Sequence, residues 1–262
     1  VVNLNTMGGA RKFREQYDGT AGFEIHGYDK YIYTYIADKF KGDVKYDPRK
    51  IKVATLDIEC ESENGFPEPT LAEEKVNAIT IKPFRHNAHT FCIGPWDECP
   101  ANVVYHECEN EAFLLTEFIK YWRKENFDII TGWNVDAFDM TYLCNRVDRL
   151  FGEGEHKKFS PWNMSDVREY TNNYGQKNVV FTLYGINILD YMELYKKHTF
   201  VNQESYSLNH IAHVELDKEK IDYSEYGSLH TLYQQNYSKF LEYNVKDVTL
   251  VEDLEDKMGL LE

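Results

Sequence analysis

The chain has 262 residues, 42% of them hydrophobic and 15% aromatic, enough apolar mass for one large core or two smaller ones. Its formal net charge of −15 excludes a broad basic surface that would grip nucleic acid without regard to sequence. It leaves open an acidic cleft that takes one strand end with metal ions as counter-charge. No apolar run of about 18 residues occurs, so no membrane span is expected.

The start, Val1-Val2-Asn3-Leu4-Asn5, has neither an initiator Met nor a basic-then-apolar leader pattern, and reads as a cut or processed start. Residues 1–50 are Tyr-rich and locally basic around Arg11, Lys12 and Arg14. A short helix is expected near Ala10–Tyr17, a strand near Tyr31–Ala37, and a charged connector over Lys39–Lys52. From Ile51 the pattern changes. Ile51–Ile58 is rich in β-branched residues and predicts a buried strand, followed by strands over Asn77–Phe84, His89–Gly94 and Asn102–His106.

Glu107–Glu111 opens an amphipathic helix through Asn126, with Phe113, Leu114, Phe118, Ile119 and Trp122 on its apolar stripe. Phe127–Gly132 predicts a strand and Asp139–Phe151 a helix closed by Gly152. Val167–Thr171 and Asn178–Leu183 flank Asn172-Asn173-Tyr174-Gly175, a strong turn signal, so a β-hairpin is expected over Val167–Leu183. A strand ends at Ile186–Asp190, a helix follows over Tyr191–His198, and Leu229–Met258 is helical, in one piece or two. Strands first, then alternation with helices, define an α/β sheet with helices on its faces. The organisation expected is a partial N-terminal domain and connector over 1–50 and one catalytic-type domain over 51–262.

Three places put carboxylates where a packed fold does not ordinarily want them. Asp57 and Glu59 stand two apart on a strand, so both project from one side of the sheet. Asp139 closes Asn134-Val135-Asp136-Ala137-Phe138-Asp139 at a strand-to-helix junction, where open sheets usually bind ligands. Tyr243 and Asp247 stand four apart on a helix and share a face. Each alone has a bland reading: a solvated acid pair, a helix cap, a polar helix face. The five cysteines are scattered without a C-x-x-C pair, which reads as reduced thiols. Cys99, His106 and Cys108 are conceivable zinc ligands at a spacing that matches no common site.

Taken together, the chain resembles the exonuclease region of family B DNA polymerases, most of all the T-even-type bacteriophage branch. D-x-E matches Asp57-Ile58-Glu59, N-x-x-x-F-D matches Asn134 to Asp139, and Y-x-x-x-D matches Tyr243 to Asp247. Thr131-Gly132-Trp133-Asn134, Lys158-Phe159-Ser160-Pro161 and Ile188-Leu189-Asp190-Tyr191 add to the likeness. The span between the first two motifs looks shorter than in T-even-type enzymes, and neither S-L-Y-P-S nor D-T-D of a polymerase palm is present. A fragment, an excised domain and one subunit of a split polymerase all fit that pattern.

The resemblance implies a ribonuclease H-like mixed sheet and a proofreading 3′→5′ exonuclease with two divalent ions, Mg²⁺ or Mn²⁺. It implies that Asp57 bridges the ions, that Glu59 and Asp247 complete one site, that Asp139 supports the other, and that Tyr243 orients the attacking water. It further implies that Phe66 packs on bases of a frayed strand, that Asn134 bonds the terminal sugar, and that the hairpin helps part primer from template. Asp190 is given a supporting role or, equally, that of a cap before Tyr191. The partners implied are a single-stranded DNA 3′ end and a polymerase domain or subunit, in cis or in trans, in the cytoplasm of an infected bacterium. A DNA-holding module without turnover, and an exoribonuclease of the same superfamily, are the competing readings.

Overall fold

The computed structural model describes the chain except residues 1, 3, 5, 28–30, 44, 46, 63–64, 172–176 and 262. The chain divides into two compact units, Val1–Pro48 and Arg49–Glu262. In the first, α1 (Met7–Tyr17) is capped by Thr6, whose hydroxyl accepts from the Gly9 amide, and α2 spans Tyr31–Lys39. The strand expected near Tyr31–Ala37 is therefore a helix. Tyr33, Tyr35 and Ile36 are exposed there, so the aromatic and β-branched composition has no sheet to pack against. A helix satisfies its own backbone, which an unpaired strand does not.

The second unit is built on a six-stranded mixed sheet ordered β4-β3-β2-β1-β5-β8. Its strands are β1 (Val53–Cys60), β2 (Val76–Pro83), β3 (Ala88–Ile93), β4 (Val103–Cys108), β5 (Ile129–Gly132) and β8 (Asn187–Asp190). β1–β2 and β2–β3 pair antiparallel; β3–β4, β1–β5 and β5–β8 pair parallel. The period of two sorts the side chains by face. Leu56, Ile58, Ile79, Ile81 and Phe91 join one core with α3 (Glu111–Glu125) and α4 (Thr141–Phe151). Ala78 and Cys92 join another with α7 (Leu229–Gln235) and α8 (Tyr237–Met258). With both faces covered, β2 is buried over Val76–Ile81, including the polar Asn77 and Thr80.

Three expectations shift in detail. Strand β4 runs on through Cys108, and α3 begins only at Glu111, because the Asn110 side chain accepts from the Phe113 amide and caps the helix there. On α3, Leu115 is buried and Phe113 is exposed, so the apolar stripe turns slightly from the one expected. Before α4, the residues Asp136–Met140 form a π-helical turn, and only then does the helix become regular.

Strands β6 (Ser165–Thr171) and β7 (Lys177–Leu183) form the hairpin; its expected turn, 172–175, lies outside the described residues. The hairpin is tied to the body. The Thr141 hydroxyl donates to Val179 O, and His156 bridges the Asp148 carboxylate and the Ser165 hydroxyl at 2.7 Å each. Helices α5 (Tyr191–His198) and α6 (Leu208–Leu216) pack with α8 around Tyr191, Ile211 and Leu254. No helix among the described residues is long and apolar enough to cross a membrane.

Candidate active site

The site forms where the end of β1 meets α8. Asp57 and Glu59 alternate with buried Leu56 and Ile58, so both carboxylates leave the face that α8 covers. A β-bulge shifts the β1–β2 register between Glu59 and Cys60, next to the second acid. Just before Asp57, β5 approaches β1 closely. A Cβ on Gly132 would lie 2.4 Å from Leu56 O and 3.0 Å from Val135 Cβ, so only glycine fits. From α8, Tyr243 and Asp247 present one buried face toward the strand end.

Ligand oxygens of Asp57, Glu59 and Asp247 lie within 4.8 Å of one another, the one such group of three His, Cys, Asp or Glu residues among those described. Asp139 stands beside it. Its side chain is buried, and Oδ1 accepts from the Ile58 amide at 2.9 Å, between the two acids of β1. At close range two like charges repel by about 4 kcal/mol in a medium of effective dielectric about 20, which exceeds the ~1 kcal/mol an exposed ion pair contributes. Loss of hydration and then Asp247 push the Asp57 carboxyl up to about 8. Loss of hydration, then Asp57, raises Glu59 and Asp139 well above the ordinary range. Burial lifts Asp247 to about 6 even though Lys220 opposes it.

Lys220 brings a positive charge into direct contact with the group. Its ammonium donates to Asp247 Oδ2 and, at 2.9 Å, to the Tyr243 hydroxyl. Burial alone would lower its pKa; Asp247, Tyr243 and Asp57 instead hold it above the usual lysine value. Burial and Asp247 raise Tyr243, so it stays a neutral phenol. One ammonium does not balance four acids. Asp247 Oδ1 is buried with no hydrogen-bond partner among the described residues, an acceptor that calls for a further cation. An all-oxygen set of this kind suits Mg²⁺ or Mn²⁺.

The remaining expected residues lie around this group. Asn134 adopts a left-handed conformation (φ 65°), its carbonyl accepts from the Phe138 amide, and its amide donates to Asp190 at 3.2 Å. Asp190 also accepts from Asp136, Met192 and Glu193 amides, so it caps α5 and braces the turn that carries Asp139. Phe66 is 83% exposed, and its ring lies 5.1 Å from that of Phe138, next to Asp139. Neither Phe66 nor Asn134 belongs to the carboxylate group itself. The zinc alternative has no support. His106 bonds His89 and stacks on Phe91, while Cys99 and Cys108 donate to backbone carbonyls. All five cysteines are free thiols.

Lys220 and Asn244 escaped the sequence reading. Lys220 lies in the charged stretch Asp217–Asp222, which has no periodicity to single it out. Asn244 stands beside Tyr243 inside the third motif, where a polar helix residue attracts no notice; in the structure it donates to Asp57 Oδ2 at 2.6 Å.

A mixed α/β sheet with acids gathered at a strand end and a facing helix is the architecture of ribonuclease H-like nucleases. Residues 24–211 match the model of the DNA polymerase family B exonuclease domain, and the chain belongs to that family of 3′→5′ exonuclease domains. It is 35% identical over 90% of its length to the DNA-directed DNA polymerase of Escherichia phage RB69, and 31% identical over 92% to that of Enterobacteria phage T4. The DNA polymerase catalytic subunit of human herpesvirus 6B is 28% identical over 65% of the chain. The chain spans 29% of the length of each of the two phage relatives.

Proposed function

We propose that this chain hydrolyses single-stranded or frayed DNA 3′ ends to 5′-mononucleotides with two divalent ions, Mg²⁺ or Mn²⁺, as the proofreading part of a family B polymerase. The observation that carries this reading is the convergence of Asp57, Glu59 and Asp247 within 4.8 Å, with a buried unpartnered oxygen on Asp247. Asp57, Glu59 and Asp247, with Asp139, are the residues that would hold the ions. Bound ions stabilise charge on the scissile phosphate and lower the pKa of water.

The chain's own groups do the rest. The neutral Tyr243 hydroxyl orients water as a hydrogen-bonding partner and not as a free base. Lys220 stands beside it with a fixed positive charge that favours a phosphate. Phe66 offers an exposed ring for stacking, worth roughly 1–3 kcal/mol per base and indifferent to sequence. Asn134 bonds the terminal sugar, and the β6–β7 hairpin helps keep template and primer apart. Selection of errors needs no base reading, because a mismatched terminus unpairs cheaply and only a single strand reaches the acids. The duplex would be held by a polymerase domain or subunit, in cis or in trans. The resemblance to phage polymerases supports action in the cytoplasm of an infected bacterium.

A 5′-labelled single strand with Mn²⁺ tests the reading. The wild type is expected to give a ladder of shortened products, absent with EDTA and absent in Asp57→Ala. Bound but intact DNA would support a holding module instead, and faster loss of a matched RNA strand would support the exoribonuclease. An undiminished rate in Asp57→Ala would remove the metal assignment.

A further inference from the structure

One buried polar chain lies behind the carboxylates and touches no solvent. Thr80 faces Asp57 across the β1–β2 pairing, and Thr90 faces Thr80 across β2–β3. Thr80, Thr90 and Asn244 are all fully buried. The Thr80 hydroxyl donates to Asn244 Oδ1, Asn244 Nδ2 donates to Asp57 Oδ2 at 2.6 Å, and the two threonine oxygens are 2.9 Å apart.

The chemistry gives this chain one direction. Once ionised, as it must be to bind a cation, the Asp57 carboxylate only accepts, so the amide turns its NH₂ to Asp57 and its oxygen to Thr80. Thr80 has one proton and spends it on Asn244, so Thr90 must donate to Thr80. The opposite amide orientation would set two acceptors against each other at Asp57. Buried polar chains of this kind are costly when any member is unsatisfied, so each residue holds the next in place.

We propose that Thr80 and Asn244 are positioning residues for Asp57, fixing its carboxylate so that one oxygen is held from behind and the other is left for a cation. The proposal rests on the metal-site reading above. Partners that hold a metal-binding side chain from behind matter for affinity because they remove its freedom to turn away. A purely structural role would instead appear as lost stability with unchanged metal uptake.

The test is Mn²⁺ titration of the whole chain followed by electron paramagnetic resonance, with thermal melting alongside. Thr80→Val keeps the volume and removes the proton donated to Asn244. It is expected to weaken Mn²⁺ uptake by about 10-fold, and Thr80→Ser, which restores the hydroxyl, to return it to within about twofold of wild type. A folded Thr80→Val with wild-type Mn²⁺ affinity would overturn the relay. Thr90→Val, which removes the outer donor, is expected to shift uptake the same way by less. If Thr80→Val fails to fold, wild-type affinity in Thr90→Val overturns the relay in its place. The two readings fail differently: a wild type without Mn²⁺ uptake removes the metal site, whereas uptake lost in Asp57→Ala but unaltered in the threonine variants removes only the relay.

Discussion

Tyr243 sits where a base would be convenient, yet its surroundings keep it protonated. Burial and the negative Asp247 both disfavour a phenolate. Its value lies in a hydroxyl held by Lys220 at the edge of the acid group. Tyr243→Phe is therefore expected to leave Mn²⁺ affinity unchanged and to slow single-turnover cleavage by roughly 10²–10³-fold, the usual cost of losing one preorganised hydrogen-bonding group. An equal loss of metal affinity would show that the tyrosine acts on the ligands instead. The shared faces of Asp57 with Glu59 and of Tyr243 with Asp247 were legible in the sequence because their spacings are those of a strand and a helix, which turn a pattern of two or four into one side. Lys220 was not legible, since it reaches the site from an irregular stretch where spacing says nothing about direction.

The elements serve the site chiefly by close approach. Gly132 ends β5 against the Leu56 carbonyl, one residue before Asp57. Gly132→Ala is expected to cost about 1–3 kcal/mol of stability through overpacking and to lower cleavage by moving the end of β1. Unchanged melting and activity would show that β5 can yield. The strands of the second unit were readable from periodicity; helix α6 went unpredicted, and so did the π-helical turn Asp136–Met140, because a single wide turn leaves no repeat. The failure at Tyr31–Ala37 has the opposite cause: local composition favoured a strand where no neighbouring strand pairs with it.

Strands β3 and β4 carry a separate pH response. Burial, then His106, lowers His89 to about 4, with Glu125 opposing and Lys124 assisting, and burial lowers His106 as well. In the unfolded chain a histidine titrates near 6.5. Between those values the unfolded state binds the extra proton, so this pair's contribution to stability is present above about pH 6.5 and lost as pH falls toward 4. The wild type is expected to lose thermal stability more steeply over that window than His89→Phe. Parallel slopes would mean that the histidine pair carries none of the response.

For the molecule as a whole, the charge of −15 sets how it meets DNA. Counterion release rewards clustered cations, and here 29 Lys and Arg are outnumbered by 44 Asp and Glu, so the acid cleft repels phosphate until divalent ions are bound. With the Asp57→Ala variant and no polymerase partner, duplex affinity is expected to be about 1 μM or weaker at physiological salt. A nanomolar dissociation constant would contradict that account and point to a DNA-holding surface.

The carboxylates themselves can be asked most directly. Crystals soaked in Mn²⁺ and recorded at the manganese edge are expected to show anomalous density enclosed by Asp57, Glu59 and Asp247. Density confined to other acidic surfaces, with none among these three side chains, would contradict the account.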